Sequence, residues 1–363
     1  MANSKGISQS GKAQRRLAAL LVSPTLIIIA IVILFPTISA LYQSFWGVAG
    51  IDPETGFVNE SEPFVGAKNY VDIFVGDTGT RFWNAFWNTT FFAAVTVFIE
   101  TILGVAMALI MHQALKARGL VRAAILVPWA IPTAVSAVLW GWIFNAHGAA
   151  NAILGTQILW ATSNWPAKCA IVIADTWKTA PFIGLLTLAG LQVIPDDVYE
   201  AAKIDGASAW RRFTTITLPL VKPALVVAVL FRMLDALRMF DLPYILIGPR
   251  KSQVETLSML VQDEASNLRY GSASAYAVIL FIYVFLIAFA FIRLLGAELV
   301  DEPATRGSRL RLSQFFKRPQ KPQTVPANDP VLTKYEGERH SNSPTTVLGK
   351  TGTPRNRETG GKA

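Results

Sequence analysis

The sequence predicts an all-α membrane protein with six transmembrane helices and a folded cytoplasmic loop between spans four and five. Three observations carry that reading. Charged residues are only 16% of the 363 residues and hydrophobic ones 52%, with a mean hydropathy of +0.40; a soluble domain holds about 25% charged residues. Six stretches, 18–41, 88–112, 121–144, 168–190, 221–247 and 275–297, approach the roughly 20 apolar residues a helix needs to cross a bilayer. The net charge of +9 lies outside them, because residues 1–17 carry Lys5, Lys12, Arg15 and Arg16 with no acid, residues 298–363 carry a net +5, and 18–297 balances to zero.

The elements follow in order. Residues 1–17 read as a basic cytoplasmic N-terminus. The first span runs through Leu26–Phe35 without a polar residue; it is longer than a signal-peptide core, and five more spans follow it. Span 221–247 holds five charges, which leaves a buried soluble helix as its alternative. The last span contains only Tyr283 as a polar residue between Ala277 and Ile292. Lys116, Arg118, Arg122, Lys203, Arg211 and Arg212 fall in segments on the same side as the N-terminus, whereas loop 145–167 has no Lys or Arg. The positive-inside rule therefore places both termini in the cytoplasm. Trp83, Trp87, Trp142, Trp160 and Trp165 lie near the proposed outer ends, where indole rings favour the interface.

Composition excludes several classes. A nucleic-acid binder would carry its cations on the folded core. A single cysteine, Cys169, gives no intramolecular disulfide or multi-thiolate metal site, and His112, His147 and His340 are too dispersed to suggest a metal cluster.

The segment 191–220 is patterned as structure. Pro195 suits a helix start, Asp197 with Glu200 resembles a capping box, and Val198, Ala201 and Ala202 form an apolar face. Gly206 can end this helix with φ > 0. Ser208 is placed to cap a second short helix bearing Trp210, Phe213 and Ile216, and Pro219 then opens the fifth span. Such a pair would leave Ala201, Ala202 and their neighbours exposed. They would be covered either by a cytoplasmic partner or by the lipid surface.

These residues carry a resemblance. Glu200-Ala201-Ala202, Gly206 four positions after Ala202, Ile216 ten further on, and Leu218-Pro219 match the signature of binding-protein-dependent ABC transporter permeases at every fixed position. Asp205-Gly206-Ala207, the run Phe64–Tyr70 with Asn88-Thr89, Leu120–Pro132 with Arg122 and Pro128, and Asp241–Tyr244 are similar to the carbohydrate-uptake, maltose-type branch. The resemblance covers most of 18–297. It implies that 191–220 is a coupling helix docking on a cytoplasmic ATPase. It further implies a second homologous permease, a pair of ATPase subunits and an extracytoplasmic sugar-binding protein, in a bacterial or archaeal cell membrane. Outer segments 46–87 and 248–274 would face the binding protein.

The chain shows no phosphate-binding loop; Pro344–Thr351 has Pro344 where the first glycine belongs. Nor does it show a nucleophile elbow or zinc motif. It reads as a non-enzyme with no cofactor of its own, ATP and magnesium being held by the partner ATPase.

Charges within a span each cost roughly 2.5–3.5 kcal/mol on insertion scales. Arg232, Asp235, Arg238 and Asp241 recur every three residues with alternating sign, either as an ion-pair stripe against another helix or as one wall of a cavity. Asp175, Trp177 and Lys178 on the fourth span, Trp140 on the third, and Phe240 and Tyr244 extend the candidate wall, with aromatic faces suited to sugar rings. Asp175, Asp235 and Arg238 are the foremost substrate candidates. Glu100, alone in the second span, calls for Lys178 or an arginine as partner. From about 298 the composition is Pro-rich and basic and reads as a disordered cytoplasmic tail, either resting on anionic lipid or serving only for solubility. The reading is thus a sugar-importer permease for a di- or oligosaccharide such as maltose or trehalose. Rivals are an ABC permease for glycerol phosphate or another polar metabolite, and a proton-coupled secondary transporter using Glu100 or Asp175.

Overall fold

The computed structural model describes residues 5–48, 50–51, 58–59, 62–113 and 117–300, with side chains from 17 onward and up to 293, except around the short strands. The described helices belong to one compact unit, Met1–Glu302. The tail expected from 298 lies, past Val300, outside the described residues.

Among the described residues five helices are long and apolar enough to span a membrane, or six if one sharply bent pair counts as a single span. The first consists of α1 (Lys5–Ile29), a π-helical turn (Ala30–Leu34) and α2 (Phe35–Gln43). No residue of Leu17–Gln43 is buried. A two-residue pairing, β1 (Gly50–Ile51) with β2 (Val58–Asn59), is a small addition to the expected all-α fold.

Next come α3 (Lys68–Phe74) and α4 (Gly76–His112). Helix α4 starts twelve residues before the expected boundary at 88, so much of the supposed outer loop 46–87 is helix. Asn69 donates to the carbonyls of Ser44 and Trp46, both at 2.8 Å, and the Tyr70 and Ser44 hydroxyls meet at 2.6 Å. The run Phe64–Tyr70 thus ties the end of the first span to the bundle.

The expected third span, 121–144, is not one helix. It divides into α5 (Arg118–Ala130) and α6 (Thr133–Ile143), bent by 93°. Pro132 has no N–H to continue the ladder, and it forces Ile131 into an extended conformation (φ −74°, ψ 132°). The loop that follows contains α7 (Ala149–Leu154). Trp160 there is buried, its indole N–H donating to Asn151 Oδ1 at 2.8 Å, so it is not the interfacial residue its position suggested.

Helix α8 (Asn164–Leu191) is the central element. Its most extensive partner is α4. Glycines permit the approach: a Cβ on Gly104 would lie 2.8 Å from Ile183, and one on Gly184 would lie 3.2 Å from the Gly104 carbonyl oxygen. Small residues let membrane helices pack closely in the absence of a hydrophobic drive between them.

After α8 come α9 (Asp196–Ile204), α10 (Ala209–Arg212), a π-helical segment (Phe213–Thr217) and α11 (Leu218–Ala236). The expected fifth span to 247 stops at Ala236. Leu237–Phe240 form a tight break, and α12 (Asp241–Leu246) begins afresh. The Met239 carbonyl left by the break accepts from the Thr256 hydroxyl at 2.9 Å, so the interruption is satisfied from outside the helix. Finally α13 (Leu257–Ser266), within the supposed outer loop 248–274, packs on α14 (Tyr270–Val300), which is the last span.

Candidate functional site

The middle of the bundle holds a charge hub where α4, α8 and α11 meet. Arg232 on α11 donates from Nε to Glu100 Oε2 at 2.6 Å and from Nη2 to Glu100 Oε1 at 3.1 Å. The same Nη2 reaches the Asp175 carboxylate on α8. Nη1 donates to Asp235 at 3.0 Å, one helical turn on. Thr179 completes the shell, with its hydroxyl 2.6 Å from Glu100 Oε1. A guanidinium offers five N–H donors in a fixed fork, and here three carboxylates share them.

The hub has a closed side and an open side. The side chains of Glu100, Arg232 and Asp175 are 0%, 2% and 8% exposed, whereas that of Asp235 is 69% exposed. Lys178, buried one turn from Asp175, adds a second cation, so the group holds three acids and two bases. Half-buried Trp177 lies edge-on to Trp140 with ring centroids 5.7 Å apart. Trp177 stands two residues from Asp175 on α8 and packs toward α6, away from the carboxylate's side of the helix, while the partner Glu100 required is Arg232.

The stripe from 232 to 241 does not survive as a single helix face. The break after Ala236 turns Arg238 outward, where its Nε donates to the Leu234 carbonyl at 3.2 Å and it forms neither of the expected pairs with Asp235 and Asp241. Asp241 is exposed in the first turn of α12. Tyr244 packs beside Phe240, ring centroids 4.9 Å apart, away from the hub.

At the end of α8 the signature loop is a helix–turn–helix. Pro195, not Asp197, is the N-cap of α9, and no side chain caps it, so the expected capping box is absent. Asp196 and Asp197 instead stand in the first turn, where negative charge suits the helix dipole. Gly206, at φ +74°, ends the helix: its N–H bonds the Lys203 carbonyl (3.0 Å) and that of Ala207 bonds Ala202 (2.9 Å), a complete Schellman motif. Ser208 caps α10, accepting from Arg211 N–H at 3.3 Å.

Two details differ from expectation. Of the expected apolar face, Val198 and Ala201 are exposed but Ala202 is buried, and Val193, Ile204 and Trp210 add to the exposed apolar surface beside Glu200 and Asp205. The second helix also does not stop before the fifth span. Residues 209–236 form one continuous helical segment, with Ile216 in its π-helical turn and Leu218-Pro219 at the start of α11. Pro219 sits in the first turn of α11, and the wider π turn absorbs the mismatch. Ile194 packs with Met111, Leu188 and Val221, and Tyr199 OH lies 3.1 Å from Thr217 Oγ1, fixing α9 beneath α4, α8 and α11.

At the opposite end a polar network escaped sequence reading. Arg81 on α4 grips Glu255 through two bonds, 2.9 and 2.5 Å, and Asp263 at 2.9 Å. Arg250 bonds Asp263 at 2.7 Å. Asn88 donates to the carbonyls of Ser252 and Glu255, and Thr89 accepts from Leu257 N–H at 2.9 Å. Burial would raise the Asp263 carboxyl, but hydrogen bonds from Arg81 and Arg250 hold it below its ordinary range.

Known proteins show the same organisation. Residues 100–298 match the family described as "Binding-protein-dependent transport system inner membrane component". The chain is 41% identical over 277 residues to the trehalose/maltose transport system permease protein MalF of Thermococcus litoralis, covering 75% of this chain and 90% of that one. It is 40% identical over 291 residues to the trehalose transport system permease protein SugA of Mycobacterium tuberculosis, covering 79% and 91%. A crystal structure of a bacterial ABC transporter that imports alginate shares the fold, with a TM-score of 0.66 at 20% identity over 80% of this chain and 98% of that one. An α-helical bundle built around the complete Glu-Ala-Ala signature, matching this family over more than half its length, belongs to the permease subunits of binding-protein-dependent ABC importers.

Proposed function

We propose that this permease carries a neutral di- or oligosaccharide of the trehalose or maltose class into the cell, driven by ATP hydrolysed on separate subunits. The observation that carries the cargo assignment is the hub. Its charges are neutralised on the buried side and open at Asp235, with Lys178 close by and Trp177 on the adjoining face of α8. A carboxylate and an ammonium at membrane depth bind hydroxyl pairs without demanding an ionic ligand, and an indole face covers the C–H face of a sugar ring. The relatives named for trehalose and maltose support the same cargo.

In this reading the pathway is shared with a second homologous permease. Glu200, Ala201, Asp205 and the exposed Ile204 and Trp210 dock on a cytoplasmic ATPase, which holds ATP and magnesium. The opposite face, with α13, meets the sugar-loaded binding protein. The chain lies in the cell membrane of a bacterium or archaeon with both termini inside. Its domains are the basic N-terminus 1–17, the permease proper 18–297 and a dispensable tail from 298. The test is reconstitution with the co-purifying ATPase and binding protein, reading ATP hydrolysis across a panel of sugars. Stimulation by trehalose or maltose is expected, and no stimulation by any sugar would overturn the cargo.

A further inference from the structure

We propose a second saccharide subsite, separate from the hub, in the cleft between α12 and α13 at the end of the bundle opposite α9. The cleft has a volume of about 210 Å³ and is lined by Tyr244, Arg250, Met259, Gln262, Asp263 and Ser266. Met259, Gln262, Asp263 and Ser266 recur at helical spacing, so one face of α13 forms its floor.

The hydrogen-bond inventory shows which groups are committed and which remain. Both oxygens of Glu255 are taken by Arg81, and Asp263 is shared by Arg81 and Arg250. The two acids that line the cleft are thus balanced by two cations, Arg250 within the lining and Arg81 outside it. Gln262 donates to Ser266 Oγ at 3.1 Å, which leaves the amide oxygen and the serine hydroxyl proton for a ligand. The Tyr244 ring and hydroxyl stand at the rim. A neutral surface of amide, hydroxyl and aromatic groups fits a polyol ring better than an ion or an apolar molecule.

Arg250 supplies the independent observation. It is a non-glycine residue at φ +54°, a conformation that costs about 1–3 kcal/mol and persists only where surroundings over-determine it. Asp263 at 2.7 Å and Asn267 at 3.2 Å hold its guanidinium over the cleft, and Asn267 is itself anchored to the Asp263 carbonyl at 2.6 Å. The Arg250 side chain is 62% exposed, so its remaining donors face both the cleft and solvent.

The site rests on the sugar cargo proposed above, and it would receive one ring before the substrate reaches the hub. The test uses the full reconstituted importer supplied with trehalose- or maltose-loaded binding protein. Gln262→Leu removes the amide at similar volume, and Ser266→Ala is the milder second variant. Each is expected to raise the loaded binding protein needed for half-maximal uptake about three- to tenfold at an unchanged maximal rate, a larger factor than any weakening of unloaded binding protein, whose docking is measured alongside because α13 also lies on the proposed docking face. If the unaltered importer takes up neither sugar, the cargo reading fails and the subsite with it. If it transports while both variants keep the original half-saturation, or if docking of unloaded protein weakens equally, the subsite alone is overturned.

Discussion

Arg232 and Glu100, 132 residues apart, face each other with Nε 2.6 Å from Oε2, and neither side chain is more than 2% exposed. This pair joins α11 to α4 where water cannot replace either partner. Removing one partner of a buried pair leaves an uncompensated charge, at a cost of about 3–5 kcal/mol. Arg232→Met should therefore lower the thermal midpoint of the detergent-solubilised complex markedly. The double variant with Glu100→Gln should lose less than the two singles combined. Additive losses would show that the residues are not coupled.

Gly206 separates backbone conformation from space. Its φ is +74°, yet a Cβ there would meet nothing within 4 Å. Gly206→Asn should retain uptake, since asparagine tolerates the left-handed region, whereas Gly206→Val should leave ATP hydrolysis running while uptake falls. Unchanged uptake in the valine variant would refute the coupling role of the loop.

Gly104 presents the converse case. Its φ is unremarkable, but an added methyl would meet Ile183 at 2.8 Å and the Gly184 nitrogen at 3.0 Å. Gly104→Ala should destabilise the α4–α8 pair by about 1–3 kcal/mol, while Gly119→Ala, with nothing within 4 Å, should be neutral. Thermal melts of the two variants in the same detergent make the comparison.

Asp263 gives a pH signature. Burial opposes its ionisation, but Arg81 and Arg250 outweigh that and hold its carboxyl below the ordinary 3.8. The stability it contributes is present above that ordinary value and is lost as pH falls through its lowered one. Asp263→Asn should melt earlier than the unaltered protein at neutral pH, and the difference should shrink below about pH 4. A difference that stays constant into strong acid would rule out the ion-pair origin.

The residues that were legible in the sequence are those whose role is local. Gly206, Ser208 and the apolar runs declare themselves through short-range geometry, and the structure keeps them. Asp175 and Arg232 were recognisable as expensive charges in apolar helices, but their arrangement depended on a three-helix junction. The stripe through Arg238 and Asp241 failed because the break after Ala236 is fixed by Thr256, from a segment that looked like a loop. The same holds for Arg81, whose partners Glu255 and Asp263 lie more than 170 residues away. The effect of Pro132 on Ile131 is a local rule, so the 93° bend is within reach of the sequence.

The π-helical turn at Phe213–Thr217 leaves α10 and α11 unbroken from Ala209 to Ala236. Arg232 lies 23 residues along that segment, about 35 Å from its start. The exposed Trp210 at one end and the hub at the other are therefore two points on one continuous helical segment. A tilt of a few degrees imposed at Trp210 swings Arg232 by an ångström or more. That is comparable to the tolerance of its bonds to Glu100 and Asp175, so any such tilt would change how those two acids share one guanidinium.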